Sequence, residues 1–229
     1  RGHQRRLYDA RRQAWADANG LRLVILDYRG FETDEQGRLR RDEARDLQAV
    51  AEALRAAGAI EEPNRQPVDM AAYVAEARRE CFLCRLVRGD PSQEPHQVVW
   101  RSSQAIAFLD RFPAVYGHTL VAPVRHVEQV TGDFTLNDYL SLQRVVHAVA
   151  EAVRQALRPE RVYLLSLGSR QLNAHVHWHI VPCPPGVPVE EQQTALLERR
   201  RGAVRISPDE EEALARRLRE HLPAWMRER

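Results

Sequence analysis

The sequence of 229 residues predicts an α+β fold for the larger part of the chain. After residue 70, five short runs of apolar and β-branched residues predict strands at 98–101, 105–109, 118–124, 162–167 and 175–181. One longer stretch between the third and the fourth run has the periodicity of a helix instead. Charged segments of helical pattern follow the prolines that end the last predicted strand.

The long helix is predicted from its start signal and its apolar stripe. Thr135 followed by Asp138 has the spacing of a capping box, in which a side-chain oxygen accepts from a backbone N–H three residues later. Apolar residues then share one helix face at intervals of three or four. They are Tyr139, Leu142, Val146, Val149 and Val153.

Proline and asparagine residues separate this domain from what precedes it. The first part of the chain has a helix–strand–helix pattern and is predicted to form a small α/β extension of unknown role. Pro63, Asn64 and Pro67 break that pattern. The predicted division is an N-terminal extension at 1–58, a linker at 59–69, the main domain at 70–190 and a C-terminal helical segment at 191–229.

Composition excludes several classes of function. The 34 basic and 32 acidic residues occur in short mixed runs, so no basic stripe predicts a nucleic-acid partner. The chain contains no lysine, which excludes a P-loop lysine and Schiff-base chemistry. No apolar run approaches the roughly 20 residues that cross a bilayer, so no membrane partner is expected. Residues 1–6 lack the apolar stretch of a secretion signal, and we expect a cytoplasmic protein.

The strongest functional signal is the run His175-Val176-His177-Trp178-His179. On a strand, alternate side chains share a face, so three imidazoles are predicted in one row at intervals of about 6.6 Å. Such a row suits either metal binding or a nucleophile surrounded by groups that handle phosphate charge and protons. A cupin metal site would need a Glu a few residues downstream, where this chain has prolines instead.

A second signal is the pair Cys81 and Cys84, in a C-x-x-C spacing. The spacing alone leaves three interpretations open: a redox pair, half of a zinc site, or two buried thiols. With three cysteines in the whole chain, a disulfide framework is not expected. Cys183 lies among prolines and is predicted to be a free, partly buried thiol.

The chain resembles the histidine triad (HIT) family over roughly residues 79–185. The triad matches the family's His-φ-His-φ-His-φ-φ motif, where φ is apolar. The stretches FLDRFP at 108–113 and GHTLVAPVRH at 117–126 are similar to two further family motifs. The resemblance implies a HIT-like fold with an antiparallel sheet of about five strands. It also implies a zinc-containing branch of the family, similar to dinucleoside polyphosphate hydrolases.

Site residues carry over by motif position. The middle histidine, His177, would attack the α-phosphate of a nucleotide, and a backbone carbonyl would hold its other ring nitrogen. His179 and His118 would contact phosphate oxygens and share proton transfer. The substrate would also contact Gln171 at the phosphates, Asp110 at the ribose hydroxyls and Phe108 at the base. Ser166 stands where the family often has Asn, so we expect altered substrate contacts from the turn before the triad.

The resemblance also implies a metal site. Zinc-containing relatives use the C-x-x-C pair, the last histidine of the second motif and the first triad histidine. The expected ligands of a structural zinc are therefore Cys81, Cys84, His126 and His175. A metal that holds His175 would also stabilise the segment that carries His177.

We therefore expect an enzyme that cleaves at the α-phosphate of a dinucleoside polyphosphate or a nucleoside phosphoramidate. The nucleotidyl group would pass to water or to another acceptor, the substrate would be an AMP-type purine nucleotide, and the protein would form a homodimer. One alternative is a nucleotide-binding regulator that binds partners through residues 1–58. Another is a metallohydrolase whose triad chelates a catalytic metal. His96, His147 and His221 have no predicted role, and Arg125 and Arg170 are weak candidates for steering an anionic substrate.

Overall fold

The structure, a computed structural model, describes residues 64–92, 96–168 and 172–227 together with isolated positions before residue 64. Residues 63–184 and 189–229 form one compact unit, and residues 1–62 with 185–188 form another. The helices and the strand predicted for the N-terminal extension lie outside the described residues, apart from those isolated positions. Within the described part of the chain, no helix combines the length and the apolar character needed to cross a membrane.

A five-stranded antiparallel sheet is the centre of the unit formed by residues 63–184 and 189–229. This arrangement confirms the predicted α+β fold and its antiparallel sheet. The five strands are β2 (Val98–Arg101), β3 (Ala105–Leu109), β4 (Thr119–Pro123), β5 (Arg161–Ser166) and β6 (Trp178–Cys183). Their order in the sheet is β2-β3-β4-β6-β5.

The last strand begins later than the sequence predicts. We expected a strand from residue 175, but β6 starts at Trp178, which pairs with Val121 on one side and with Ser166 on the other. The backbone N–H of Val176 instead donates to the carbonyl of Val127 at 2.8 Å, beyond the end of β4. Because this bond lies outside the sheet ladder, the first two triad histidines lie on an irregular segment before the strand.

The long helix, α3 (Leu136–Leu157), agrees with its prediction. Thr135 is the N-cap, and its hydroxyl accepts from the backbone N–H of Asp138 at 3.1 Å. Arg158 ends the helix in the left-handed conformation, with φ 50°. The apolar face of α3 is buried against the sheet, as its spacing predicts.

Strand alternation divides the core between the two faces of the sheet. Ala105 and Ala107 pack with the apolar face of α3 and with the C-terminal helix α4 (Pro208–Glu220). Ile106 and Phe108 pack on the opposite face with Leu83 of α2 (Phe82–Arg88). The described residues of this unit also form the helices α1 (Met70–Arg79) and α5 (Ala224–Arg227).

A two-stranded ribbon pairs a segment that precedes the main-sheet strands in the chain with one that follows them. Strand β1 (Arg65–Gln66), inside the segment predicted as a linker, pairs with β7 (Ala203–Val204). Gly202 has φ 76°, and a Cβ there would lie 2.8 Å from the carbonyl oxygen of Gln66, so only glycine fits this close approach. Short 3-10 turns precede β7 at Val189–Glu191, Gln193–Leu197 and Arg199–Arg201.

Candidate active site

A cavity of about 260 Å³ opens on the α2 face of the sheet. Three of the histidines singled out from the sequence line it: His118, His177 and His179. Asp110 and Phe108 line it as well, so five of the six predicted catalytic and substrate residues lie together. The sixth, Gln171, lies outside the described residues.

Strand register positions the cavity floor. Phe108 on β3 pairs with Leu120 on β4, and Leu120 pairs with His179 on β6. Paired residues in neighbouring strands point to the same face, so these three side chains form one row across the sheet. His118 lies two residues before Leu120 and therefore shares that face.

His177 is held by its backbone surroundings. Its Nδ1 lies 2.7 Å from the carbonyl oxygen of His175. A carbonyl only accepts hydrogen bonds, so in the neutral ring the proton is on Nδ1 and the lone pair is on Nε2. The hydroxyl of Ser166 donates to the carbonyl of His177 at 2.9 Å. Ser166 thus contacts the backbone of the central triad residue from the end of β5.

A chain of side-chain contacts leads from His179 to an acid. His179 Nδ1 lies 3.0 Å from His118 Nε2, and His118 Nδ1 lies 3.3 Å from Asp110 Oδ2. The backbone N–H of Ala114 also points at His118 Nδ1, at 3.3 Å. His118 therefore has a carboxylate that stabilises a proton on Nδ1 and an N–H that stabilises a lone pair there. His118 can therefore both hold and release a proton at Nδ1.

The first triad histidine belongs to a different cluster. His175 Nδ1 lies 3.5 Å from Cys81 Sγ and 3.7 Å from Cys84 Sγ, and Cys84 Sγ lies 3.2 Å from His126 Nδ1. All four ligand atoms lie within 4.8 Å of one another. Tetrahedral zinc with bonds of about 2.0–2.3 Å separates neighbouring ligand atoms by roughly 3.5 Å, so this group fits a Cys2His2 site.

The outer contacts of this cluster favour metal ligation. His175 Nε2 lies 3.0 Å from the carbonyl of Pro123, and His126 Nε2 lies 3.4 Å from Glu128 Oε1. Since both partners accept hydrogen bonds, the neutral form of each ring has its proton on Nε2 and its lone pair on Nδ1, towards the thiols. Burial and the nearby His126 lower the pKa of His175 to about 4, which keeps its imidazole neutral. Burial and the neighbouring Cys81 raise the pKa of the Cys84 thiol to about 11.

Asp110, His118 and His179 also come close enough to be considered as a second metal-binding group. Their contacts use opposite ring nitrogens of His118, one towards the acid and one towards His179. Ligands of a single ion direct their lone pairs at a common point, whereas these three residues form a line. The geometry favours a hydrogen-bonded chain here and a metal cage at the thiols.

An aromatic group forms one end of the cavity. The ring of His96 lies 5.5 Å from that of Phe108 and 6.3 Å from that of Phe82, and Phe82 lies 6.3 Å from the ring of His177. Sequence reasoning assigned no role to His96 and did not consider Phe82. No local motif in the sequence singles out His96.

Residues of α1 and of the segment before β7 close the cavity from the side. Tyr73 lines it and accepts from Asn173 Nδ2 at 2.5 Å, which joins α1 to the segment before the triad. Glu76 lines it too and pairs with Arg111 at 3.4 Å. Leu197 and residues near β7 add to the wall. No sequence motif identifies these residues, because they reach the triad only through the packing of α1 and the pairing of β1 with β7.

Other sequence candidates lie elsewhere. Arg125 does not line this cavity, and its guanidinium donates to the carbonyl of Asp133 at 2.7 Å. Arg170 lies outside the described residues. Cys183 is buried, and burial raises the pKa of its thiol. His147 is exposed on α3.

Comparison with known proteins agrees with this arrangement. A family profile described as "HIT domain" matches residues 91–185. An uncharacterised HIT-like protein of Saccharolobus solfataricus is 31% identical over 105 residues, which are 44% of this chain and 73% of that protein. The adenosine 5'-monophosphoramidase of Schizosaccharomyces pombe is 32% identical over 109 residues, or 45% of this chain and 74% of the relative. The chain belongs to the HIT family.

The fold agrees with this family membership. The crystal structure of a hypothetical histidine triad nucleotide-binding protein from Sulfolobus tokodaii superposes with a TM-score of 0.50 and 23% identity. The superposition covers 62% of this chain and 91% of the other. The matched HIT segment contains the triad, His118 and His126, while Cys81, Cys84 and the cavity walls from α1 and β7 lie outside it.

Proposed function

We propose that this HIT protein is a nucleotide hydrolase or nucleotidyltransferase in which His177 forms a covalent nucleotidyl intermediate. The substrate class is a dinucleoside polyphosphate or a nucleoside phosphoramidate, cleaved at the α-phosphate. The observation that carries the proposal is the 2.7 Å contact from His177 Nδ1 to the His175 carbonyl. Because this contact occupies the ring proton, Nε2 has the lone pair that a nucleophile needs.

Two displacements make up the proposed reaction. In the first, His177 Nε2 bonds to the α-phosphorus, and the bond from phosphorus to the leaving nitrogen or oxygen breaks. His179 supplies the proton that the leaving group takes up, through its contact with His118. In the second, a water or another acceptor gives a proton to His179 and attacks the phosphorus. The bond from phosphorus to His177 then breaks, and the enzyme returns to its starting state.

The aromatic end of the cavity is the proposed site of the base. Phe82, His96 and Phe108 present ring faces and edges at centroid separations of 5.5–6.4 Å, within the range of ordinary aromatic packing. A purine stacked there would place its phosphate towards His177, since Phe82 contacts both regions. The adenosine phosphoramidase named among the relatives supports an AMP-type substrate. Gln171 and Asp110 remain proposed contacts to the phosphates and the ribose.

A structural zinc is proposed at Cys81, Cys84, His126 and His175. When bound, the ion would supply rigidity, because its ligand His175 carries the carbonyl that orients His177. No proton or nucleotidyl step is assigned to it. The homodimer and the cytoplasmic location expected from the sequence stay predictions.

The test is turnover of a fluorogenic adenosine phosphoramidate, followed by an alkaline quench, which preserves a bond between phosphorus and an imidazole nitrogen, and by intact-mass measurement. Wild type is expected to turn over and to show a transient adduct heavier by one adenylyl group. His177→Asn can keep an N–H donor near the position of Nδ1 but lacks the nucleophilic Nε2, so kcat should fall by about 10⁴-fold or more. AMP affinity, measured by calorimetry, should change little.

Two results would contradict the proposal. An adduct that persists in His177→Asn would assign the nucleophile to another residue. A wild type that binds AMP and never turns over any phosphoramidate or dinucleotide would favour the nucleotide-binding regulator. The chain contains no lysine, so no lysine side chain can accept the adenylyl group and complicate the assignment of the adduct.

A further inference from the structure

A second and larger cavity lies on the opposite face of the sheet. Its volume is about 590 Å³, within the roughly 300–1,000 Å³ of small-molecule sites. It opens between the turn after β2, the end of β4, the first half of α3 and the C-terminal helix α5. Ala105, Leu142 and Val145 form its floor, and all three belong to the core on the α3 face. The histidine cavity shares none of these residues.

Two guanidinium groups line this second cavity. Arg125 donates from Nη2 to the carbonyl of Asp133 at 2.7 Å, and the Arg144 Cζ atom lies 4.6 Å from the centre of the Trp225 ring. Among residues 64–92, 96–168 and 172–227, no carboxylate forms an ion pair with either arginine. Asp138 is the one acid that lines the cavity, within those same ranges. The local charge therefore favours an anion.

Aromatic and hydroxyl groups line the rest of this cavity. Trp100 and Trp225 meet edge to face at a centroid distance of 6.3 Å, and Phe134 lies on the α3 side. The indole N–H of Trp100 donates to the carbonyl of Met226 at 2.8 Å, which fixes α5 against the sheet. Three serines supply hydroxyl groups near these rings: Ser102, Ser103 and Ser141.

The wall formed by α5 lies beyond the matched HIT segment. That segment ends at residue 185, whereas Trp225 follows it by a whole helix, α4. Arg144 on α3 belongs to the matched segment, so the cavity joins a HIT helix to an element of the C-terminal tail.

We propose that this cavity binds a small aromatic oxyanion, that is, a planar ring bearing a phosphate or a carboxylate. Guanidinium groups bind such oxyanions through paired N–H donors, and they stack on aromatic rings at the same time. The indoles of Trp100 and Trp225 and the ring of Phe134 would contact the planar part. The site is separate from the nucleotide cavity, and it does not depend on the function proposed for His177.

Calorimetry with phenyl phosphate and with benzoate tests this proposal, and tryptophan fluorescence includes the emission of Trp100 and Trp225, two of the four tryptophans of the chain. Wild type should bind at least one of the two ligands, with a change in tryptophan emission. Arg144→Gln and Arg125→Gln should each weaken binding by about tenfold or more, because each removes charge-assisted hydrogen bonds. Arg144→Lys keeps the charge and the cation–π contact, so it should lose less. Arg154→Gln, on the same helix but paired with Glu151, should bind as wild type does.

Controls separate this site from the histidine cavity. His179→Ala should retain binding of the aromatic oxyanion, and thermal melts should show that the arginine variants are folded. The proposal is overturned if binding is lost in His179→Ala and kept in both Gln variants, which would place the ligand among the histidines. Inorganic phosphate binding as tightly as phenyl phosphate would overturn the aromatic part, and no binding by wild type at millimolar concentration would overturn all of it.

Discussion

His175 and His177 are two residues apart, are equally buried at 1% and 3% exposure, and have different surroundings. His175 lies against two thiols and a second imidazole, with its other nitrogen on a backbone carbonyl. His177 lies in a cavity beside His179, with an aromatic ring on its other side. The same side chain thus has two different environments, one that fits the proposed metal ligand and one that fits the proposed nucleophile.

One hydrogen bond connects the two environments. The carbonyl oxygen of His175 accepts from His177 Nδ1, so the residue whose ring faces the thiols sets the tautomer of the residue that faces the cavity. A disturbance of the thiol cluster should therefore reach the cavity. A disturbance within the cavity should leave the thiol cluster unchanged. Four predictions test this asymmetry, in order of decreasing effect.

The largest effect is expected from loss of the metal site. Cys81→Ser should reduce bound zinc from about one per chain to near zero. If the free zinc concentration is about 1,000 times the dissociation constant, loss of the metal lowers the free energy of unfolding by about 4 kcal/mol. Activity should fall too, because the His175 carbonyl is less well positioned. Elemental analysis, thermal melts and turnover measure the three quantities.

Two comparisons make this result specific. Cys81→His keeps a metal ligand and should restore part of the zinc content and stability. His177→Asn should keep all of its zinc. Zinc retained in Cys81→Ser at the wild-type level would contradict the assignment of this cluster.

The next effect is expected at the acid beside His118. Asp110→Asn keeps the side-chain shape and the oxygen that accepts from the Phe112 N–H at 3.0 Å, but it removes the charge facing His118. Without that charge, a proton on His118 Nδ1 is less stable, and kcat should fall on the order of 10²-fold. Zinc content should not change. A rise in KM with kcat unchanged would instead indicate that Asp110 acts only by binding the ribose.

A smaller effect is expected from the pH dependence of the metal-free protein. The pKa of His175 is lowered by burial from 6.5 to about 4, so between these values the unfolded chain binds a proton that the folded chain does not. Stability from this group is fully present above pH 6.5 and is lost as the pH falls towards 4. Melting temperatures of chelator-treated wild type should decrease over this range. His175→Asn should show a shallower decrease, and an equal slope in both proteins would contradict the prediction.

The smallest effect is expected at the aromatic end of the cavity. His96→Phe keeps a ring beside Phe82 and Phe108 but removes the hydrogen-bonding nitrogens. Discrimination between adenosine and the other three nucleoside phosphoramidates, measured as ratios of kcat/KM, should fall by up to about tenfold. Equal changes in kcat/KM for all four nucleoside phosphoramidates would show that His96 contributes packing but no base selectivity. Zinc content and stability serve as controls and should match wild type.

The sequence by itself predicted the α+β class, the five strands, the capped long helix and the family. These features depend on periodicity, on capping and on motifs within short stretches, so local residues determine them. The start of β6 was wrong by three residues, because alternating His and apolar residues resemble a strand even where the backbone bonds elsewhere. The four proposed metal ligands came from resemblance, and their proximity in space supports them.

Only the tertiary structure decided which histidine meets which partner. Cys81 and His175 are 94 residues apart, and His118 and His179 are 61 apart, so their contacts depend on strand order and register. The same is true of His96 and Tyr73 in the cavity, and of the second cavity that Trp225 helps to close. Local sequence sets the chemistry that each side chain can perform. The packing of distant segments determines which of those reactions becomes available.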